Sequence, residues 1–195
     1  MTSEADRQLL LRLAREAIAA HVTGTRAPSP DLAGVFARPG AAFVTLLARG
    51  DLRGCIGHLD ADDPLGRVVL RCAVAACSRD PRFPAVAAVE LPTIQIELSL
   101  LGPLEAISGV EDFEVGRHGL AVEHGWSRGL LLPQVAIEWS WDAATFLAHT
   151  CRKAGLPHDA WKNGAKVWRF EAEVFGERAF NTKATKDTMD TKERT

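Results

Sequence analysis

The segment from Thr93 to Leu101 (TIQIELSLL) constrains the fold most, because apolar and polar residues alternate strictly along it. Successive side chains of a β-strand point to opposite faces, so this alternation predicts an antiparallel strand with one buried face. Residues 165–175 alternate in the same way and predict a second strand. Two further strands are indicated at 119–123 and 130–132, joined by a turn rich in Gly, Ser and Arg. We therefore expect an antiparallel sheet.

Helices are predicted in three other segments, where apolar residues recur at helical spacing. These segments are residues 3–20, 63–77 and 142–154. Ser3 and Asp142 are the expected capping residues of the first and third helices. In the second, Asp63 is expected to cap the helix and Pro64 to occupy its first position. Helices and antiparallel strands are mixed without a βαβ rhythm, so the predicted class is α+β.

The composition predicts one folded domain. A chain of 195 residues with 47% apolar residues is long enough to bury about 70% of its unfolded surface. We assign residues 1–176 to the domain and expect the polar, charged tail at 177–195 to be disordered. The net charge of −2 argues against nucleic-acid binding and against a basic membrane-binding patch. The N-terminus lacks the pattern of a secretory signal, and we expect a cytoplasmic protein with reduced cysteines.

Residues 42–58 predict a β-hairpin whose second strand carries the sequence LRGCIGH. Alternation places Arg53, Cys55 and Gly57 on one face of that strand and the residues between them on the other. Gly54 and Gly57 flank the thiol, and glycine is used where the backbone bends or is approached closely. The two glycines are therefore candidate substrate-binding positions.

Cys55 is the candidate catalytic residue of this hairpin. The guanidinium of Arg53 on the same face would favour the thiolate, which is the reactive form of cysteine. A nucleophilic cysteine also needs a base, and His58 and His118 are the candidates. His58 lies on the opposite face unless a bulge at Gly57 reorients it. The alternative is structural, because free cysteine packs as a small apolar residue and either histidine can serve only the fold.

Arginines are candidate anion-binding residues. Arg82 and Arg128, together with Arg53, lie in loops or at strand ends, and arginine recognises carboxylate or phosphate through two parallel hydrogen bonds. Gln134 is a polar residue inside an apolar run and is a candidate for orienting a substrate. Alternatively, each arginine pairs with a nearby acid such as Asp80 or lies on the solvated surface, and Gln134 bonds only to backbone.

Several other kinds of site are not indicated. Residues 125–129 (GWSRG) match the G-x-S-x-G pattern of serine hydrolases, but the serine is expected on a hairpin tip instead of a strand–turn–helix elbow. The chain has no P-loop, no G-x-G-x-x-G, no C-x-x-C and no H-E-x-x-H, so we predict no metal ligands and cannot name a cofactor.

The chain resembles the AMMECR domain family, called protein A of the AmmeMemoRadiSam system in prokaryotes. The resemblance covers residues 5–176 and implies a two-lobed α+β domain with the RGCIG segment near a groove between the lobes. One position departs from the family, which usually has Thr where this chain has His58. The motifs are LRGCIGHL from Leu52, DPRF from Asp80, VGRHGL from Val115, RGLLLPQVA from Arg128 and CRKAGLP from Cys151.

Two functions remain open at this point. The first is an enzyme, or an enzyme subunit, that acts on a small polar or anionic substrate in the inter-lobe groove. The resemblance implies radical SAM and Memo-like proteins as partners, with the radical chemistry in the partner. The second is a non-catalytic module that binds a partner protein through the RGCIG surface. Only the first requires the Cys55 sulfur.

Overall fold

The computed structural model describes residues 2–177 and confirms the α+β class. Its helices are α1 (Glu4–Thr23), α2 (Leu65–Ser78), α3 (Pro133–Glu138) and α4 (Ala143–Lys153). Its strands are β1 (Ala41–Ala48), β2 (Asp51–His58), β3 (Ile94–Leu101), β4 (Glu105–Ile107), β5 (His118–His124), β6 (Ser127–Leu131) and β7 (Lys166–Gly176). Within these residues, no helix is both long and apolar enough to cross a membrane.

All seven strands belong to one antiparallel sheet with the order β2-β1-β3-β7-β5-β6, and β4 pairs with β7. The long strand β7 connects the two halves, because residues 166–171 pair with β5 and residues 172–176 pair with β3. The two edge strands approach each other, since Arg128 on β6 binds Asp60 just after β2 at 2.7 Å. The sheet is therefore curled, with an inner and an outer face.

The first lobe consists of β1, β2 and β3 with α1 and α2 packed on their outer face. Apolar side chains at alternate positions, such as Val44, Leu46 and Leu98, are fully buried beneath the two helices. Each such side chain contributes about 1.5–3 kcal/mol through its removal from water. Ser3 caps α1 as predicted, by accepting a hydrogen bond from the Asp6 amide at 3.1 Å. This layer holds β2 rigidly at the edge of the sheet.

The start of α2 differs from the prediction. Pro64 is the N-cap residue instead of the first helical residue, and no side chain caps the helix. The Asp63 carboxylate is turned away from the helix amides and pairs with Arg71 at 2.6 Å. The charge attraction to Arg71 thus replaces the capping interaction.

The second lobe packs α3 and α4 against β5, β6 and β7. Its core is centred on Phe146, Leu147 and Leu120, and Asp142 caps α4 as predicted. The serine was expected on the hairpin tip, but Ser127 is the first residue of β6 directly after the turn; no helix follows it at once, so no nucleophile elbow is present at residues 125–129. A third apolar cluster fills part of the inner face of the sheet between the lobes, and it includes Phe43, Leu101, Trp168 and Phe170.

The sequence patterns did not predict two elements, β4 and α3. The short helix α3 follows β6 directly, because Pro133 both ends the strand and suits the first turn of a helix. Ser99 also differs from expectation. It belongs to the polar side of the alternating β3 strand, yet it is only 1% exposed, because the inner face of the sheet is covered there.

The described part of the chain ends one residue into the predicted tail. Glu177 packs against the first lobe, where it forms an ion pair with Arg15 and accepts a hydrogen bond from the Ile96 amide at 2.9 Å. The rest of the predicted disordered tail, residues 178–195, lies outside the described residues.

Candidate functional site

The backbone of Cys55 is bound by the loop that follows α2. Because β2 is an edge strand, the amide and carbonyl of every second residue point away from β1. The outward Cys55 amide donates to the Asp80 carboxylate at 2.8 Å, and Arg82 donates to the Cys55 carbonyl at 3.3 Å. The Asp80–Arg82 pair therefore occupies the place of a neighbouring strand.

Asp80 is buried and charged at the centre of this arrangement. It is 4% exposed, and Arg82 donates to both of its carboxylate oxygens, at 2.9 and 2.7 Å. These hydrogen bonds from Arg82, supported by the Cys55 amide, hold the pKa of the Asp80 carboxyl far below its usual range. Asp80 thus remains ionised at neutral pH and keeps Arg82 beside Cys55.

Arg53 holds the same loop at a second point. Its guanidinium donates to Glu90 at 2.8 and 3.1 Å and to the carbonyl of Pro84 at 2.9 Å. Arg53 and Arg82 are therefore each paired with an acid, which was the alternative stated for both residues. The RGCIG edge and the loop 79–90 form one rigid surface.

The Cys55 thiol faces the inner side of the sheet and is partly exposed. The Thr45 hydroxyl on β1 donates a hydrogen bond to the sulfur at 3.3 Å. Thr45 also lies opposite Glu97 on β3, so Cys55, Thr45 and Glu97 form one row across three strands. Burial, together with the nearby charge of Glu138 at the end of α3, raises the pKa of the Glu97 carboxyl. We call these three residues the inner row.

Arg82 is the guanidinium held against the backbone of Cys55. Its pKa is raised, mainly by the hydrogen bonds to Asp80 and additionally by the Cys55 side chain. The Arg82 side chain is 50% exposed, and its Nη1 has no hydrogen-bond acceptor among residues 2–177. One donor of this arginine is therefore free for a ligand.

The two glycines are required by packing on opposite faces of β2. A Cβ at Gly54 would overlap the carbonyl oxygen of Ala76 in α2. A Cβ at Gly57 would overlap the ring of Phe43 on the inner face. Gly54 thus allows the helix to approach the strand, and Gly57 allows an aromatic ring to cover it.

Neither predicted histidine lies beside the thiol. His58 is on the outer face of β2, where it lines a cleft with Cys72 and other residues of α2. His118 is 8% exposed and lies on the same face of β5 as the second-lobe core, with its Nδ1 accepting a hydrogen bond from the Glu114 amide at 3.0 Å. That contact gives His118 a structural partner.

Neither Arg128 nor Gln134 forms a hydrogen bond or ion pair with the inner row within residues 2–177. Arg128 forms ion pairs with Asp60 at 2.7 Å and with Glu123 at 3.6 Å. Gln134 lies half-buried in α3, and its side-chain amide has no hydrogen-bond partner in the described chain. In the same part of the chain, no three His, Cys, Asp or Glu side chains are placed to hold a metal ion.

Sequence reasoning missed Thr45 and Glu97. A bulge between Leu46 and Leu47 shifts the β1–β2 register by one residue. Counting from the turn would pair Thr45 with Gly54 and so place it on the wrong face relative to Cys55. The only local signal for Glu97 is its position in the alternating strand, which also fits a solvent-exposed residue.

The comparison with protein families agrees with this architecture. The AMMECR1 family model matches residues 11–175. The chain belongs to the AMMECR1 family. This assignment confirms the resemblance predicted from the motifs, and the match covers both lobes and all residues of the inner row.

Relatives of this AMMECR1-family chain are similar over nearly their whole length. A protein of Methanosarcina acetivorans is 42% identical over 188 residues, which cover 91% of this chain and 94% of the relative. A protein of Methanothermobacter thermautotrophicus is 46% identical over 178 residues, which cover 86% and 92%. The crystal structure of a protein from Pyrococcus horikoshii, described as uncharacterized, is 41% identical with a TM-score of 0.81, and the match covers 87% of this chain and 90% of that one.

Proposed function

We propose that this AMMECR1-family protein is an enzyme, or the subunit of one, that acts on a small polar or anionic substrate at the inner row. Cys55 supplies the reactive thiol, Arg82 a positive charge beside it, and Glu97 a proton-carrying group. The observation that carries the proposal is the alignment of the Cys55 sulfur, the Thr45 hydroxyl and the Glu97 carboxyl on one face of three adjacent strands.

The chemistry of the inner row suits thiol catalysis without a histidine. The thiolate is the nucleophilic form of cysteine, and nearby donors and cations favour it. The Thr45 hydroxyl donates to the sulfur, and the Arg82 guanidinium binds the carbonyl of the same residue. A carboxyl with a raised pKa exchanges protons more readily near neutral pH, which suits Glu97 for general acid–base work.

The free Nη1 donor of Arg82 supports an anionic group on the substrate. Arginine binds carboxylate and phosphate strongly through charge-assisted hydrogen bonds. The apolar cluster with Phe43 and Leu101 borders the row on the inner face and would exclude a large hydrated molecule. These features favour a small substrate with one anionic end.

The partners in this proposal follow from the family resemblance. In this proposal the radical chemistry takes place in the radical SAM and Memo-like partners. This protein would contribute the thiol-dependent step on their shared substrate. The loop 79–90, held by Arg53 and Arg82, lies beside the Cys55 backbone and would form part of the surface that contacts the partner.

The test is residue-resolved alkylation by iodoacetamide as a function of pH, read by mass spectrometry. We expect Cys55 to react faster than Cys72, Cys77 and Cys151, which are buried. Burial raises the pKa of Cys72 to about 11, so Cys72 serves as the internal control. Thr45→Val and Arg82→Gln should each slow Cys55 at pH 7, whereas Arg67→Gln on the exposed side of α2 should not. Cys55 reacting no faster than the buried cysteines would refute the reactive-thiol role.

A non-catalytic binding module is the second candidate, and one observation favours it. Arg53 and Arg82, the two arginines that join the RGCIG edge to the loop 79–90, are each paired with an acid, which is the arrangement of a rigid docking surface. Cys55→Ser distinguishes the two functions, because it keeps the shape and removes the thiolate. Partner binding that survives Cys55→Ser and is lost in Arg53→Ala, with Cys55 unreactive, would favour the module.

A further inference from the structure

A cleft lies between α2 and the end of β2, on the face of the sheet opposite the Cys55 thiol. Its volume is about 360 Å³, which is at the lower end of the range for small-molecule sites. Apolar side chains form its walls and basic side chains its rim. The walls include Ile56, Leu70 and Val74, and the rim is formed by His58, Arg71 and Arg79.

Arg79 is the rim residue with unused hydrogen-bonding capacity. The Arg71 guanidinium is bound to Asp63 at 2.6 Å. The Arg79 side chain is exposed and has neither an ion pair nor a hydrogen bond to any residue from 2 to 177. A guanidinium beside an apolar pocket recognises a carboxylate or phosphate on an otherwise apolar ligand.

The backbone of Gly57 adds a donor and an acceptor to the cleft. Gly57 lines the cleft, and only backbone atoms can do so because glycine has no side chain. Its amide and carbonyl point away from β1, as those of Cys55 do two residues earlier. Unlike those of Cys55, they have no partner in the loop 79–90 within the described chain. An exposed strand edge of this kind pairs with an amide group of a ligand.

Beyond Gly57, the edge of β2 is occupied at Cys55. Arg79 directly precedes Asp80, and the Asp80 carboxylate already accepts the hydrogen bond from the Cys55 amide. A ligand paired with Gly57 therefore cannot continue to pair along β2 toward Cys55, and Arg79 lies where a charged end of its chain would be bound. The group that ends an amide-containing chain with a negative charge is a carboxylate.

We propose that the α2–β2 cleft binds an apolar residue that carries an amide on one side and a free carboxylate on the other. Arg79 holds the carboxylate, Gly57 pairs with the amide, and the apolar side chain packs against Leu70 and Val74. This chemistry occurs in free N-acyl amino acids and at the C-terminus of a peptide. The site lies on the other face of β2 from the inner row, so it goes beyond the proposed function.

The test is an NMR titration of the full-length ¹⁵N-labelled protein with N-acetyl-leucine. We expect the Gly57 amide to shift, with a Kd of about 1 mM for a ligand of this size. N-acetyl-leucinamide, which lacks the carboxylate, should bind at least about tenfold more weakly, because a charge-assisted hydrogen bond is lost. Arg79→Gln should weaken N-acetyl-leucine binding about as much. Arg67→Gln, which removes an exposed arginine on α2 outside the cleft, should leave it unchanged.

A comparison with N-acetyl-Ala-Ala-Leu identifies the source of the ligand. Binding at least about fivefold tighter than that of N-acetyl-leucine supports a peptide C-terminus, and equal binding supports a free N-acyl amino acid. No shift at Gly57 with either compound overturns the proposal. It is also overturned if acid and amide bind equally, or if Arg67→Gln weakens binding as much as Arg79→Gln.

Discussion

The backbone groups along the outer edge of β2 have different neighbours in its two halves. At Cys55 the outward backbone groups are bound by Asp80 and Arg82, and Arg53 holds the same loop. At Gly57, two residues later, the equivalent groups have no hydrogen-bond partner in residues 2–177 and face a cleft. The difference shows that Arg53 and Arg82 stabilise the half of the edge around Cys55, which we call the sealed half; the half at Gly57 is the open half. The groups that remain available to ligands include the thiol on the inner face, the Arg82 Nη1 donor and the Gly57 backbone in the open half.

The largest effect is expected from Gly54→Ala, because a Cβ there overlaps a backbone carbonyl of α2, which cannot move without the helix. Overpacking of this kind lowers the free energy of unfolding by about 3 kcal/mol. Gly57→Ala should cost less, since the Phe43 ring can rotate away. A Cβ at Gly109 would meet nothing within 4 Å beyond its chain neighbours, so Gly109→Ala is the control and should change stability by less than about 0.5 kcal/mol. Urea unfolding measures all three, and equal losses for Gly54 and Gly57 would contradict the comparison.

Asp80→Asn should produce the next largest effect. The substitution removes a buried carboxylate that binds both Arg82 and the Cys55 amide. Arg82 remains half-exposed and solvated, so the expected loss is about 2 kcal/mol at pH 7 and not the larger cost of stranding a buried charge. Asp63→Asn is the matched control, because its pair with Arg71 is exposed, and it should cost less than about 0.5 kcal/mol.

The Asp80 contribution also has a defined pH dependence. The folded-state pKa of Asp80 is lowered, chiefly by Arg82, so the unfolded chain takes up protons first as the pH falls. The stabilisation is therefore fully present above the unfolded pKa of about 3.9 and is lost as the pH falls toward the folded value. Wild type should exceed Asp80→Asn most between pH 5 and 8, and the gap should shrink below about pH 4. A gap that does not change with pH would show that Asp80 acts through shape alone.

The parts of the fold that the sequence predicted correctly depend on local signals. Alternation defines β3 and β7, and the capping residues Ser3 and Asp142 mark helix starts within one turn. The sealed edge could not be predicted in this way. Its contact between Cys55 and Asp80 joins residues far apart in the chain, and the register bulge conceals the neighbours of the thiol.

The open half of the edge should contribute little to stability. The Arg128–Asp60 pair joins the end of β2 to β6, but both side chains are substantially exposed, at 30% and 49%. Exposed ion pairs are screened by solvent, and holding two long side chains in place has an entropic cost, so Arg128→Gln should lower the free energy of unfolding by less than about 0.5 kcal/mol. Asp60→Asn is the control for the same pair and should match it within error, and 1 M NaCl should remove the difference from wild type. A loss as large as that of Asp80→Asn would mean that the curled sheet depends on closure between its two edges, and the distinction between a sealed and an open half would fail.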